Sequence, residues 1–236
     1  MRKLDHPAQE EEQMDAADLD PAIYARVLTD LAQVNRWTFA ARPTLDFVAR
    51  AVGDAPCFSL LDVGFGDGDL LRAIARWAEK RRIRAALTGI DLNPGSARVA
   101  SGATPDRLDI AYLTGDYRAH LETAAPRGGY DLIVSSLVAH HMSHAELIDF
   151  LRTMEAKARR GWHINDLHRH IFSYLGFPLL ARIMGWHRIV REDGQLSIAR
   201  AFRPGEWPPL LAEAGIGPAA AIKRVFPFRL CVERLH

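Results

Sequence analysis

Leu60-Leu61-Asp62-Val63-Gly64-Phe65-Gly66-Asp67-Gly68-Asp69-Leu70 is the stretch on which the fold turns. A short apolar run ends, three glycines alternate, and an amphipathic segment over 70–77 begins. Such a run before glycines reads as a buried strand, and the spacing after it as a helix. Alternate glycines let the chain turn tightly and let a ligand approach the backbone without meeting a Cβ. The helix then opens with free N–H groups.

Outward from this loop the alternation continues. Apolar runs at 58–63, 85–90, 108–113, 132–134 and 162–164 are expected strands, separated by helical spacing. Strand, turn and helix repeated in this way indicate an α/β fold, doubly wound about a mostly parallel sheet. Toward the C-terminus, 207–214 reads as a short helix. Segments 221–226 and 229–233 read as two strands turning at Pro227, which would add antiparallel edge strands and make seven. Upstream, Asp20-Pro21 reads as N-cap and first helical residue. Ile23, Val27, Leu28, Leu31 and Val34 keep helical spacing, and a second helix carries Leu45, Val48 and Ala51 before a stop at Gly53. Three regions are expected: a disordered acidic start over 1–19, a helical cap over 20–54, and a ligand-binding domain over 55–236.

Composition narrows the classes. With 236 residues, 48% hydrophobic and 25% charged, the chain can build a sizeable core. Thirty Lys+Arg against 29 Asp+Glu leave +1, without the basic excess of a nucleic-acid binder. Cys57 and Cys231 are too few for a disulfide scaffold. The apolar stretch 171–186 is interrupted by Pro178 and Arg182 and falls short of the ~20 residues of a membrane span. The start has no apolar segment of the signal-peptide kind. A cytoplasmic protein is expected.

The loop fits one ligand class better than another. Dinucleotide sites use Gly-x-Gly-x-x-Gly, with pyrophosphate on the helix N-terminus. Here the third glycine would fall at Asp69, whose carboxylate repels pyrophosphate, and this disfavours a nicotinamide oxidoreductase. The spacing Asp62-x-Gly64-x-Gly66-x-Gly68 instead resembles the first motif of class I methyltransferases that use S-adenosylmethionine. That cofactor carries an amino acid and a sulfonium but no phosphate. Gly89-Ile90-Asp91-Leu92-Asn93-Pro94, Leu113-Thr114-Gly115-Asp116-Tyr117 and Tyr130-Asp131-Leu132-Ile133-Val134-Ser135-Ser136 resemble the motifs that follow, in the family's order, over roughly 55–166. The resemblance implies a Rossmann-like seven-stranded fold. It also implies a cofactor-binding set of Asp62, Gly64, Gly66, Gly68, Asp91, Leu92, Asp116, Tyr117, Ser135 and Arg36. Within it Asp91 would take the ribose hydroxyls and Asp116 the adenine amino group. One departure stands before the fifth strand, where Ala158-Arg159-Arg160-Gly161-Trp162 replaces the family's usual Pro-Gly-Gly turn.

The Asn/Asp-Pro-Pro-Tyr pattern of nucleobase and amide methylating members is replaced by Ser135-Ser136-Leu137-Val138, so a small molecule is the expected acceptor. Asp30–Arg36, Asn165–His170 and Asp193-Gly194-Gln195-Leu196-Ser197 resemble small methyltransferases of bacterial secondary metabolism that act on polyketide or phenolic compounds. By that resemblance an insertion over 168–187 lies across the acceptor pocket, lined by Phe172, Leu175 and Leu179. Its spacing is apolar nearly all round, so burial on more than one side is expected. Plain core or a homodimer face are the other readings of this segment.

A hydroxyl acceptor needs to lose a proton, and histidine suits that task. His140, His141 and His168 follow the fourth and fifth strands, whose carboxyl ends border the crevice of an open sheet. His141 ranks first, then His168. His140 is expected to point the other way, and Asp166 to orient one of them. A metal would need three ligands of settled geometry, and spacing alone does not assemble them, so none is expected. Carbon methylation, and a non-catalytic cofactor-binding protein, are the alternatives.

Overall fold

A computed structural model describes residues 4–16, 18–123 and 129–236. In chain order the elements are α1 (Pro21–Trp37), α2 (Ala41–Val52), β1 (Cys57–Val63), α3 (Asp69–Arg81), β2 (Arg84–Asp91), α4 (Pro94–Ala103), β3 (Ile110–Thr114) and α5 (Tyr117–Thr123). There follow β4 (Tyr130–Ser136), α6 (His144–Lys157), β5 (Ala158–Leu167), α7 (Ile171–Ile183), α8 (Arg188–Arg200), α9 (Trp207–Glu213), β6 (Ala221–Val225) and β7 (Arg229–Leu235).

The strands form one seven-stranded sheet ordered β3-β2-β1-β4-β5-β7-β6. The first five are parallel, and β7 runs antiparallel to both β5 and β6. This is the doubly wound Rossmann-like arrangement expected. The pleat sends alternate residues to opposite faces. Leu60, Leu132 and Val134 therefore join a core under α2 and α3, while Leu61, Val63 and Ile133 join one under α6 and α9.

Local chemistry sets the helix starts. Asp20 accepts the Ala22 and Ile23 N–H groups, with Pro21 at the first helical position. Ser143 and Glu146 close a capping box on α6. At Gly161, φ is 150° and a Cβ would lie 2.2 Å from the Arg234 carbonyl oxygen. The β4–β5 register shifts between Tyr130 and Leu132, beside this glycine. The altered turn before the fifth strand thus becomes a bulge.

Three expectations are corrected. The acidic start is not disordered over residues 4–16: Leu4 and Glu12 are buried, and Gln13–Asp15 form a 3-10 turn. The polar groups of this segment find fixed partners. Arg169 and Arg203 donate to the Leu4 carbonyl, Ala8 N–H to Ala199, and Asp193 accepts the Gln13 and Met14 N–H groups. Residues 1–3 and 17 lie outside the described residues. Secondly, α7 is not buried all round: Ala181 is its one fully buried residue, while Phe172, Leu175, Leu179 and Ile183 are exposed. Thirdly, β5 extends to Leu167, well past the expected end at 164. Val27 of α1, Ala181 of α7 and Ile189 and Val190 of α8 form a third core, so cap and insertion fold together. No helix among the described residues is long and apolar enough to cross a membrane.

Candidate active site

The carboxyl ends of β1, β2 and β4 open into one cavity of about 710 Å³, roofed by α1, α7 and α8. That is the size of a small-molecule site. Gly64, Gly66 and Gly68 have φ of 76°, 56° and 78°, the left-handed region that glycine enters without strain. Their roles differ. Gly66 faces open cavity, where an added Cβ would meet only Leu28, at 3.8 Å. A Cβ on Gly64 would strike Val138 at 2.4 Å. A Cβ on Gly68 would strike the Tyr112 ring at 2.6 Å, and Gly68 lines no part of the cavity. Its place in the motif is a packing requirement rather than a ligand contact.

Four carboxylates gather at this end, of which Asp67 is paired with Arg72. Asp91 accepts the Gly66 N–H at 3.0 Å and the Asn93 N–H at 2.9 Å. Burial still holds its carboxyl above the usual range. Burial and the charge of Asp67 push Asp69 up to about 6. Burial, with the charges of Asp69 and Asp91, holds Asp62 well above the usual range. Asp62 Oδ1 is buried without a hydrogen-bond partner among the described residues. A pyrophosphate would worsen this crowding of negative charge. A ligand bearing an ammonium and a sulfonium relieves it, so the residues fit S-adenosylmethionine.

Leu92, 77% exposed, and Tyr117 line the same half. Asp116 sits between two lining residues, Gly115 and Tyr117, and its carboxylate accepts the Arg118 N–H. Besides Gly68 and Asp116, neither of which lines the cavity, two more expected members do not reach it. Ser135 is buried and donates to the Val63 carbonyl, leaving Ser136 as the lining residue. Arg36 lies a ~100° helical step from Asn35 and faces a separate surface hollow with Phe39 and Trp77. Asn35 is the one that lines the cavity, where its amide works against burial in lowering the Asp69 carboxyl.

At the other end stand the histidines. Leu137, at φ 63°, turns the chain after β4 into a 3-10 turn, Ala139–His141. That tight turn brings the His140 and His141 rings to 4.3 Å, so His140 does not point away from its neighbour. His140 Nδ1 lies 2.6 Å from Asp166 Oδ1. His141 Nδ1 lies 3.0 Å from Asp15 Oδ2. Glu12 Oε1 is 3.6 Å from His140 Nε2 and 3.7 Å from His141 Nε2. Burial alone would lower the His140 imidazole, but the bond from Asp166 and the charges of Asp166 and Glu12 carry it up to about 9. His140, the histidine expected to turn away, is thus the one that Asp166 orients.

His168 does not join them. It follows Leu167, which lines the cavity, and the strand pleat sends it to the other side. There it packs beside His170 and bridges to Phe202. On α7, Phe172, Ser173, Gly176, Phe177 and Leu180 face the cavity, whereas Leu175 and Leu179 face solvent. Phe172 thus lines the cavity as expected, while Leu175 and Leu179 each lie one residue from the positions that do, Gly176 and Leu180.

The less specific motifs acquire physical roles. Asn165 donates to the Ala40 carbonyl, Gly194 leaves room for the Phe177 ring, and Ser197 donates to Glu12. Sequence reasoning missed Glu12 because nothing in an acidic run marks which carboxylate will be buried.

Residues 60–161 match the family described as "Methyltransferase domain". No curated protein matches the chain. Among solved structures, the chain is similar to a SAM dependent methyltransferase from Aquifex aeolicus, with TM-score 0.60, 17% identity, and 92% of this chain and 99% of that one covered. Magnesium protoporphyrin IX methyltransferase from Synechocystis PCC 6803, with bound SAH, gives 0.54 at 16% identity over 95% and 91%. Human N-acetylserotonin methyltransferase in complex with SAM gives 0.61 at 14% identity, over 91% of this chain but 56% of that one. At these identities the likeness is one of fold.

Proposed function

We propose that the chain, whose residues 60–161 match a methyltransferase domain, takes S-adenosylmethionine and methylates a small aromatic or polyketide-like acceptor at a hydroxyl oxygen. The observation that carries this reading is the continuity of one cavity. It runs from the carboxylates at the glycine loop, past Asp91, to the apolar face of α7 and the histidines. Bound cofactor supplies an electrophilic methyl group on a sulfonium.

The chain's own residues do the rest. Asp91 keeps lone pairs for the ribose hydroxyls beyond the two N–H groups it already accepts. Asp62 and Asp69 face the cationic part of the ligand. Leu92 and Tyr117 flank its base, with Asp116 beside them at the rim. Phe172, Phe177 and Leu180 hold an apolar acceptor and exclude water. His140 and His141, fixed by Asp166, Asp15 and Glu12, face the end where an acceptor hydroxyl would bind and lose its proton. Transfer to oxygen is an in-line displacement, so holding the two reactants in line contributes much of the acceleration.

The test is a mass-spectrometric screen of phenolic and polyketide-like acceptors incubated with isotope-labelled cofactor. An O-methylated product carrying the label supports the reading. A labelled C-methyl product in its place overturns the hydroxyl assignment.

A further inference from the structure

We propose that Glu12, His140 and His141 form a binding site for one divalent transition metal of the zinc type, at the acceptor end of the cavity. The site itself rests on geometry. Its role in catalysis rests on the methyltransferase reading above.

Among the described residues, these three offer one donor atom each within 4.8 Å of one another. Tetrahedral coordination at ~2.1 Å separates neighbouring donors by about 3.4 Å. Glu12 Oε1 stands 3.6 and 3.7 Å from the two Nε2 atoms, so little movement is needed. Both imidazoles are oriented as ligands are. His140 Nδ1 is held by Asp166 and His141 Nδ1 by Asp15, and each Nε2 lies within 3.7 Å of Glu12 Oε1. Carboxylate behind histidine is the outer arrangement that fixes a metal-binding imidazole.

A second observation is the burial of a nitrogen without a partner. His140 is 5% exposed, yet its Nε2 has no hydrogen-bond partner among the described residues. A buried nitrogen aimed at a carboxylate 3.6 Å away, too far to bond, is accounted for by an atom between them.

The surrounding charge suits a dication. Glu12, Asp15 and Asp166 contribute three carboxylates. The cations nearby are Arg200, whose Nη1 is 4.0 Å from Glu12 Oε1, and the buried Arg229, which interacts with the charge of Asp166. The Arg200 guanidinium is turned to the carbonyls of Glu10, His140 and His141. Two imidazoles with one carboxylate suit zinc or ferrous-like ions rather than magnesium or calcium, which take oxygen ligands. Three protein ligands leave a coordination position open, and all three residues line the cavity.

An acceptor hydroxyl in that position loses its proton to solvent and stays on the metal as an alkoxide or phenolate. One of its lone pairs then forms the new C–O bond as the methyl–sulfur bond breaks, and that electron pair returns to sulfur. The product is an ether and a neutral thioether, with no change of oxidation state at the metal.

The test uses tag-free, full-length protein stripped with a chelator and titrated separately with Co²⁺ and Zn²⁺. S-adenosylhomocysteine affinity is measured on the same samples. The expected result is one equivalent of Co²⁺, with visible absorption of a low-coordinate site that Zn²⁺ abolishes. Glu12→Gln and His140→Ala should each weaken Zn²⁺ binding by more than the about 10–100-fold that loss of an outer partner costs. Asp166→Asn should fall within that range, and His168→Ala should change nothing. Wild-type protein that binds S-adenosylhomocysteine but neither metal overturns the site. So does metal binding that survives both Glu12→Gln and His140→Ala, or that depends on His168. Metal uptake without S-adenosylhomocysteine binding would uphold the site while removing the cofactor reading.

Discussion

Asp166, at the end of β5, holds His140, beyond the end of β4, by two bonds. Its Oδ1 lies 2.6 Å from the ring Nδ1, and its Oδ2 accepts the His140 backbone N–H at 3.0 Å. Ring and backbone are thus fixed by one carboxylate, buried with its partner. Removing one member of such a buried pair is costly, on the order of 3–5 kcal/mol. Asp166→Ala should therefore lower the unfolding free energy by that amount in urea denaturation. A loss below 1 kcal/mol would mean that the pair does not order this edge.

Gly66 and Gly68 should part company when mutated. Gly68→Ala forces a Cβ into the Tyr112 ring at a left-handed φ, which costs ~1–2 kcal/mol for the backbone alone. It should lower stability in denaturant beyond that figure. Gly66→Val should lose S-adenosylhomocysteine affinity first, because its side chain would enter the cavity. Calorimetry of both variants, beside their unfolding curves, checks the division.

Asp91→Ala should weaken cofactor binding by ~1.5–3 kcal/mol, the range of hydrogen bonds to charged groups. Titration of the folded variant with S-adenosylhomocysteine measures it. Unchanged affinity would place the ribose elsewhere.

On α7, Phe177→Ala should raise the acceptor's KM and leave cofactor affinity alone, since Phe177 lines the cavity. Leu179→Ala should change neither, because Leu179 is 63% exposed on the opposite side. Steady-state kinetics on the pair reads the orientation of the helix.

Acid should destabilise the fold through β7. Glu233 lies against Arg50, Lys223 and His163. Burial would raise its carboxyl, but these partners outweigh burial and hold it well below the usual range. Burial lowers the neighbouring His163 imidazole. Both groups bind protons more readily in the unfolded chain, so both favour folding at neutral pH. The His163 share is lost as pH falls below about 6.5 and the Glu233 share as it falls below about 4.5. Unfolding free energies measured from pH 7 to 3 should decline across both windows. Glu233→Gln should remove the lower-pH part of the slope.

What was legible in the sequence follows the range of the contacts. The glycine loop, Asp91 and the strand alternation are set by neighbours in the chain, so their spacing declares them. Glu12 meets His140 across 128 positions, and no local pattern announces that meeting. The face of α7 was misread for a similar reason. Apolar residues nearly surround the helix, and packing against α1 and α8 chooses which of them turn inward. His168 was misplaced because β5 runs to Leu167, and one residue in a pleat reverses the side a side chain faces. Ser135 and Arg36 show the same sensitivity, each one residue from the position that lines the cavity.

The central claim is that the cavity beneath the glycine loop takes S-adenosylmethionine. Isothermal titration of the full chain with S-adenosylhomocysteine, and separately with NAD, tests it most directly. The account predicts one equivalent of S-adenosylhomocysteine bound, weakened in Asp91→Ala, and no appreciable heat with NAD. Saturable binding of NAD with none of S-adenosylhomocysteine would contradict it.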